Sequence, residues 1–174
     1  PVDRRQRQMC IRDRSLGTRY YLTEKHSLRA AAGTSFKAPS YSDLTTNSDL
    51  KPEEAENREI GYTGKFDLFK LDVTAYDNEV DNLIIWYEGS PFWYPQNVDA
   101  KLKGLEITGN FDTWFIHHTV VAEFKDHKDS AGNKLAKRAD ENYKWLMDAS
   151  YEDFDVNLTY CLLYTSDAAD DQLG

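Results

Sequence analysis

Period-two alternation runs through most of this chain, and it constrains the fold more than any other feature. Leu28, Ala30 and Ala32 alternate with Arg29, Ala31 and Gly33. Ile60, Tyr62 and Phe66 alternate with Glu59, Gly61, Thr63 and Lys65. Phe69, Leu71, Val73 and Ala75 alternate with Lys70, Asp72, Thr74 and Tyr76. Leu105, Ile107, Gly109 and Phe111 alternate with Gly104, Glu106, Thr108 and Asn110. Val120, Ala122 and Phe124 oppose Thr119, Val121, Glu123 and Lys125; Tyr143, Trp145, Met147, Ala149 and Tyr151 oppose Asn142, Lys144, Leu146, Asp148 and Ser150. In the last run Phe154, Val156, Leu158 and Tyr160 oppose Asp155, Asn157 and Thr159. Successive residues of a strand point to opposite faces, so each run predicts a strand with one apolar and one polar face. With a short first strand over 16–22, the chain reads as about eight antiparallel strands.

The connections alternate in length. Those at 23–26, 67–68, 112–114 and 152–153 are short; those at 36–56, 86–94 and 126–137 are long. Antiparallel strands then place every long loop at one end. The polar faces carry Arg29, Glu59, Lys65, Lys70, Asp72, Glu106, Glu123, Lys144, Asp148 and Asp155. A dry sandwich core cannot take such charges without heavy desolvation, whereas a water-filled lumen can. The apolar faces end near the short turns in Phe66, Phe69, Phe111, Trp114, Tyr151 and Phe154, as an interfacial aromatic girdle would. The fold class expected is all-β: a fragment of a large antiparallel transmembrane β-barrel, about eight strands in an open curved sheet. A mean hydropathy of −0.71 looks too polar for a membrane protein. It excludes only helical spans, because half of each barrel strand and all of each loop are polar.

Both ends depart from the pattern. Residues 1–14, PVDRRQRQMCIRDR, carry five arginines against two aspartates with no apolar period, and CLLYTSDAADD from Cys161 to Asp171 breaks off a well-formed strand. Both resemble translated sequencing-adapter read-through, so 1–14 and 161–174 are expected to be non-native tails around a barrel segment over 15–160. The only cysteines, Cys10 and Cys161, fall in these ends, leaving no zinc site, redox pair or thiol nucleophile in the middle. The two tails cancel in charge, so the middle keeps the formal −9, which argues against a nucleic-acid partner.

Catalytic constellations are poor. His117 and His118 are adjacent, so on a strand they face opposite ways and cannot chelate one ion together. No serine sits in a nucleophile elbow and no glycine-rich phosphate loop occurs. Asp126, Asp129 and Asn133 share a loop, but their spacing fits no EF-hand and reads as a solvated loop. No catalytic residue, metal ligand or cofactor is expected. The ligand-binding candidates are Trp86, Tyr87, Phe92, Trp93 and Tyr94, five aromatics within nine residues of one long loop, able to stack on a large planar or apolar ligand. The loop over 37–56 is a second candidate by its length.

Gly33-Thr34-Ser35-Phe36-Lys37-Ala38-Pro39, Leu44, Asn47 to Glu53 and Glu59-Ile60-Gly61 resemble the barrel signature of TonB-dependent outer-membrane receptors. Tyr76-Asp77-Asn78, Asp81 to Ile84, Asn97-Val98, Lys103 to Glu106 and the basic lead-in Leu135 to Ala139 continue it in that family's order, closest to the cobalamin receptors. Ser48 stands where the family more often has proline. The resemblance covers roughly 15–160. It implies about a third of a 22-stranded barrel in the Gram-negative outer membrane, long loops outside, with an upstream plug domain that TonB pulls. It also implies a metal-chelate ligand such as cobalamin or a siderophore, contact with outer-membrane lipid, and no enzyme activity. A siderophore or haem receptor of the same family is one alternative. A secreted β-sandwich that binds glycans through the aromatic loop is the alternative from another class, and a hydrolase barrel would need a Ser/His pair that is not found.

Overall fold

The computed structural model describes residues 13–87, 93–135, 138–151 and 153–164. Eight strands form one antiparallel sheet, each beside its neighbours in sequence. They are β1 (Arg14–Tyr21), β2 (His26–Lys37), β3 (Glu53–Lys65), β4 (Phe69–Tyr87), β5 (Tyr94–Thr113), β6 (Ile116–Asp129), β7 (Glu141–Tyr151) and β8 (Phe154–Tyr164). Among the described residues one helix, α1 (Tyr41–Thr46), interrupts the first long connection. β1 and β8 are the two edges of the sheet. Among the described residues no second sheet packs on it.

The register carries the alternation across the whole sheet. Tyr20, Leu28, Tyr62, Val73, Ile107, Ala122, Tyr143 and Leu162 lie side by side on all eight strands. One residue along, Arg19, Arg29, Gly61, Thr74, Glu106, Glu123 and Asn142 form the neighbouring row. A one-residue slip of any strand would put its charges into the apolar row, so one face of the sheet specifies the register. The short connections are tight. Phe66 N–H donates to the Phe69 carbonyl at 2.8 Å, and the Thr23 hydroxyl accepts from Lys25 N and His26 N. Trp114 takes a left-handed φ of 59° between β5 and β6.

Several strands run further than the alternation indicates. β4 and β5 extend through Tyr87 and from Tyr94, so Trp86, Tyr87 and Tyr94 of the expected aromatic loop 86–94 belong to strands, and 88–92 lie outside the described residues. β3 begins at Glu53 and β6 reaches Asp129. The β3 and β6 extensions are largely polar, and cross-strand pairing rather than residue preference makes them strands. β8 continues through Cys161 to Tyr164, paired with β7.

Neither face has a closed core. Leu16 is 79% exposed, Ile60 59% and Leu158 56% on the apolar face. So large a bare apolar surface needs a covering medium, and hydrocarbon is the one that a period-two sheet with aromatic borders fits. Along β6 the outward row from Ile116 to Phe124 runs about 27 Å along the strand, which at a barrel strand's tilt of about 40° spans roughly 20 Å of membrane, near the roughly 25 Å band of outer-membrane barrels. The buried cluster, Val80, Leu83, Ala100 and Leu135, lies at the long-connection end, on the polar face of the sheet.

Candidate functional site

The polar face holds ionic networks suited to a wet interior. The Arg29 guanidinium lies across Gly61 and hydrogen-bonds Asp72 at 3.3 Å, Thr63 at 3.5 Å and the Thr74 hydroxyl. Thr63 donates to Asp72 at 2.6 Å, and Lys70 completes the cluster at 3.0 Å. A Cβ on Gly61 would fall 2.6 Å from the Arg29 guanidinium carbon, so glycine makes room for the cation. Further along, Glu123 accepts from Lys125 at 2.7 Å and Asn142 at 2.9 Å. Tyr76 covers Gly104 and its hydroxyl meets His127 Nε2 at 3.1 Å. His117 and His118 do face opposite ways: His117 pairs with Asp112 at 2.6 Å, while His118 stacks on Phe111 and accepts from Trp145 Nε1 at 3.2 Å.

At the long-connection end, a β-bulge between Val80 and Leu83 puts one extra residue into β4, and Asn82 takes a left-handed φ of 57°. The bulge reverses the alternation beyond it. Leu83, Ile85 and Tyr87 pair with Val98, Gln96 and Tyr94 and share the face of Val80 and Ala100. Trp86, paired with Pro95, shares the opposite face with Asn97. The aromatic candidates are therefore divided. Tyr87 and Tyr94 come together on the polar face, ring centroids 6.4 Å apart, 37% and 40% exposed. Trp93 is 41% exposed beside them in sequence, and Phe92 lies outside the described residues.

Trp86 instead anchors the first long connection. Its indole Nε1 donates to Asp43 Oδ1 at 3.1 Å. Ser40 and Asp43 form a reciprocal capping box at the start of α1. The hydrogen bond from the Ser40 hydroxyl, helped by those from the Ser40 backbone and Trp86, holds the Asp43 carboxyl below the ordinary carboxylate range against slight desolvation. Asn47 Nδ2 donates to the Pro95 carbonyl at 3.0 Å. Asn97 makes three bonds: its Oδ1 accepts from Lys51 N at 2.7 Å, and its Nδ2 donates to the carbonyls of Lys51 at 3.0 Å and Asn82 at 2.7 Å. Asn97 thus ties the bulge to the loop. Sequence reasoning passed over Asp43, Asn82 and Asn97 as positioning residues. The Ser-x-x-Asp spacing was a capping signal, and asparagine is among the few residues at ease in the left-handed region.

The third long connection folds back on itself. Lys128 bridges Lys134, and Leu135 N donates to the His127 carbonyl at 3.0 Å, which sets Leu135 into the buried cluster. The Asp129 carboxylate is occupied by Asn133, backbone at 2.8 Å and side chain at 3.1 Å, while Asp126 pairs with Lys128 at 2.9 Å. Among the described residues no three His, Cys, Asp or Glu side chains are grouped as a metal site.

The family model for TonB-dependent receptor-like β-barrels matches residues 14–173. The chain belongs to the TonB-dependent receptor β-barrel family. It is 83% identical over 146 residues to the vitamin B12 transporter BtuB of Vibrio vulnificus (strain CMCP6), covering 84% of this chain and 24% of that protein. A vitamin B12 transporter BtuB of Photobacterium profundum is 35% identical over 167 residues, 90% of this chain and 27% of the relative. The chain thus spans about a quarter of the length of these relatives. Among solved structures, the copper transporter OprC superposes with a TM-score of 0.71 at 16% identity, over 86% of this chain and 26% of that one. The siderophore receptor PirA from Acinetobacter baumannii gives 0.67 at 19% identity, over 86% and 28%. These two show a shared fold. A TonB-dependent barrel lies in the Gram-negative outer membrane, so the apolar face meets lipid, the polar face the lumen, and the long connections the outside.

Proposed function

We propose that this segment is part of a receptor that takes up cobalamin, or a closely similar metal-chelate, across the outer membrane with energy delivered through TonB. The observation carrying this reading is the 83% identity to a vitamin B12 transporter over most of the chain. In this reading the outer connections take the ligand, Tyr87 and Tyr94 offer it apolar ring faces beside the lumen, and Trp93 and Phe92 complete the aromatic rim. Trp86 acts behind them by holding the first connection in place. TonB acts on a plug domain of the complete receptor and not on this sheet. The chain performs no bond-making or bond-breaking step; its work is to bind, orient and enclose.

The test is growth rescue. A Gram-negative strain lacking its cobalamin receptor, and dependent on nanomolar cyanocobalamin, is supplied with the complete receptor carrying this segment. Rescue that vanishes when TonB is deleted is the expected result. No rescue by cyanocobalamin, together with TonB-dependent growth on a ferric siderophore or haem, overturns the cobalamin assignment.

A further inference from the structure

The lumenal face carries a recess from which its own large side chains are held away. Its floor is the cross-strand pair Gly17 and Ala31, followed toward the long-connection end by the pair Ser15 and Gly33. All four side chains are small, so the wall is thin there. Two bulky neighbours lean aside. Arg29 lies across Gly61 toward Asp72 and Thr74, and Tyr76 lies across Gly104 with its hydroxyl on His127. A Cβ on Gly104 would collide with the Tyr76 ring, as one on Gly61 would with Arg29, so both glycines are beds for side chains parked off the recess. The space left between them is about 520 Å³, walled by Asn57, Glu59, Thr74, Asn78 and Glu106. It lies on the same face as Tyr87 and Tyr94, nearer the short-connection end.

The lining has a definite chemistry. Asn78 and Glu106 have no hydrogen-bond partner among the described residues, and Asn57 spends one amide N–H on Ser35 at 3.2 Å. Two carboxamides on the lumenal wall thus keep donors and acceptors for a solute. Glu59 and Glu106 add negative charge. The cations at the border are engaged or turned away: Arg29 is bonded to Asp72 and Arg58 to Glu56 at 3.0 Å, while Arg14 and Arg58 stand on the outward rows. A neutral solute finds hydrogen bonds in the recess, and an anion meets repulsion.

We infer that this recess is a waypoint on the transport route, inward of the outer ligand site, that accepts one edge of a neutral cargo bearing carboxamide groups and holds back anionic chelates. Asn57 and Asn78 meet the cargo's amides, and Glu59 and Glu106 select against negative charge. The inference rests on the cobalamin reading, since cobalamin is neutral overall and carries carboxamide arms, and it adds where on the barrel wall that cargo passes.

The experiment uses the complete receptor in a strain lacking its own cobalamin receptor. Equilibrium surface binding of labelled cyanocobalamin is read without TonB and the initial uptake rate with TonB, beside cyanocobalamin in which one carboxamide is hydrolysed to the acid. Asn57→Ala/Asn78→Ala is expected to slow cyanocobalamin uptake about tenfold, as for two lost hydrogen bonds, with surface binding unchanged. Ala31→Phe, which fills the floor, is expected to act likewise, and Val121→Phe, on the lumenal face of β6 away from the recess, to leave uptake unchanged. Wild type is expected to take up the acid more slowly than its surface binding accounts for, and Glu59→Gln/Glu106→Gln to narrow that gap. Heat-modifiable electrophoretic mobility shows whether each barrel is folded; if Ala31→Phe is not, the asparagine variant decides. Unchanged uptake in the folded asparagine variant, or a gap that persists in the glutamine variant, overturns the inference. So do binding and uptake that fall together in the asparagine variant, in which case the recess seats a part of the receptor itself. Absence of cyanocobalamin uptake by the wild type overturns the cobalamin reading instead.

Discussion

Trp86 and Asp43 are joined by a 3.1 Å hydrogen bond from the indole N–H to the carboxylate, and that bond fixes the first outer connection against the β4–β5 hairpin. The same carboxylate accepts from the Ser40 backbone and hydroxyl at the N-terminus of α1, so one side chain both caps the start of the helix and docks it.

The first prediction concerns pH. Asp43 has its folded pKa depressed, chiefly by the Ser40 hydroxyl. Its contribution is therefore present above the unfolded carboxylate value and is lost as pH falls through the lower folded one. Amide exchange over 38–52 in the complete receptor, corrected for its intrinsic pH dependence, should stay constant from neutral pH to about pH 5 and accelerate only below the ordinary carboxylate range. Ser40→Ala should loosen the segment at neutral pH by about 1 kcal/mol, read as roughly fivefold faster exchange.

Asn97 gives a sharper case. Its three hydrogen bonds hold both Lys51 and the bulge at Asn82. Asn97→Ala should cost about 1 kcal/mol locally, the usual net worth of hydrogen bonds whose partners water can reach. Ligand affinity should fall although Asn97 does not face the lumen; Asn97→Asp, which keeps the acceptor for Lys51 N–H, should fall less. Equilibrium binding of the two variants side by side checks this.

The left-handed backbone at Asn82 sets a conformational test. Asn82→Gly should leave barrel stability and binding close to wild type. Asn82→Val should lose about 1–2 kcal/mol, because a branched side chain at positive φ is strained. Thermal loss of heat-modifiable mobility distinguishes the pair.

The divided aromatics predict divided phenotypes. Tyr87→Ala or Tyr94→Ala should weaken ligand binding by about 1 kcal/mol each, near the value of a stacking contact. Trp86→Phe removes only the indole donor, so it should act through the loop: faster exchange over 38–52 and a smaller change in affinity.

Gly61 tests the lumen network. Its Cβ position is 2.6 Å from Arg29 Cζ and 2.9 Å from Arg29 Cγ. Moving the guanidinium tip alone does not clear the site. Gly61→Val should displace Arg29 from Asp72 and Thr63 and destabilise the folded barrel by about 1–3 kcal/mol, whereas Gly17→Ala, with only Ala31 Cβ at 3.9 Å, should be nearly neutral.

The strands, their two faces and the side on which all long connections lie are legible in the chain alone. They follow from a period of two and from charges that no dry core accepts, both local properties of the residues. The place of Gly61 opposite Arg29 is not among them, because a slip of two residues would keep both faces; the pairing of β2 with β3 decides it. Which of Trp86 and Tyr87 faces the lumen was settled only when the sheet was assembled. One extra residue at the Asn82 bulge reverses the alternation, and a bulge is created by pairing against β5 rather than by the composition of β4. The same holds for the strand ends: Glu53, Trp86, Tyr87 and Tyr94 read as loop, yet their backbone groups find ladder partners. Asn97 and Asp43 were visible as residues but not as anchors, because the groups they bind lie 46 and 43 positions away along the chain. Contacts of that kind are fixed only by the tertiary pairing of the strands.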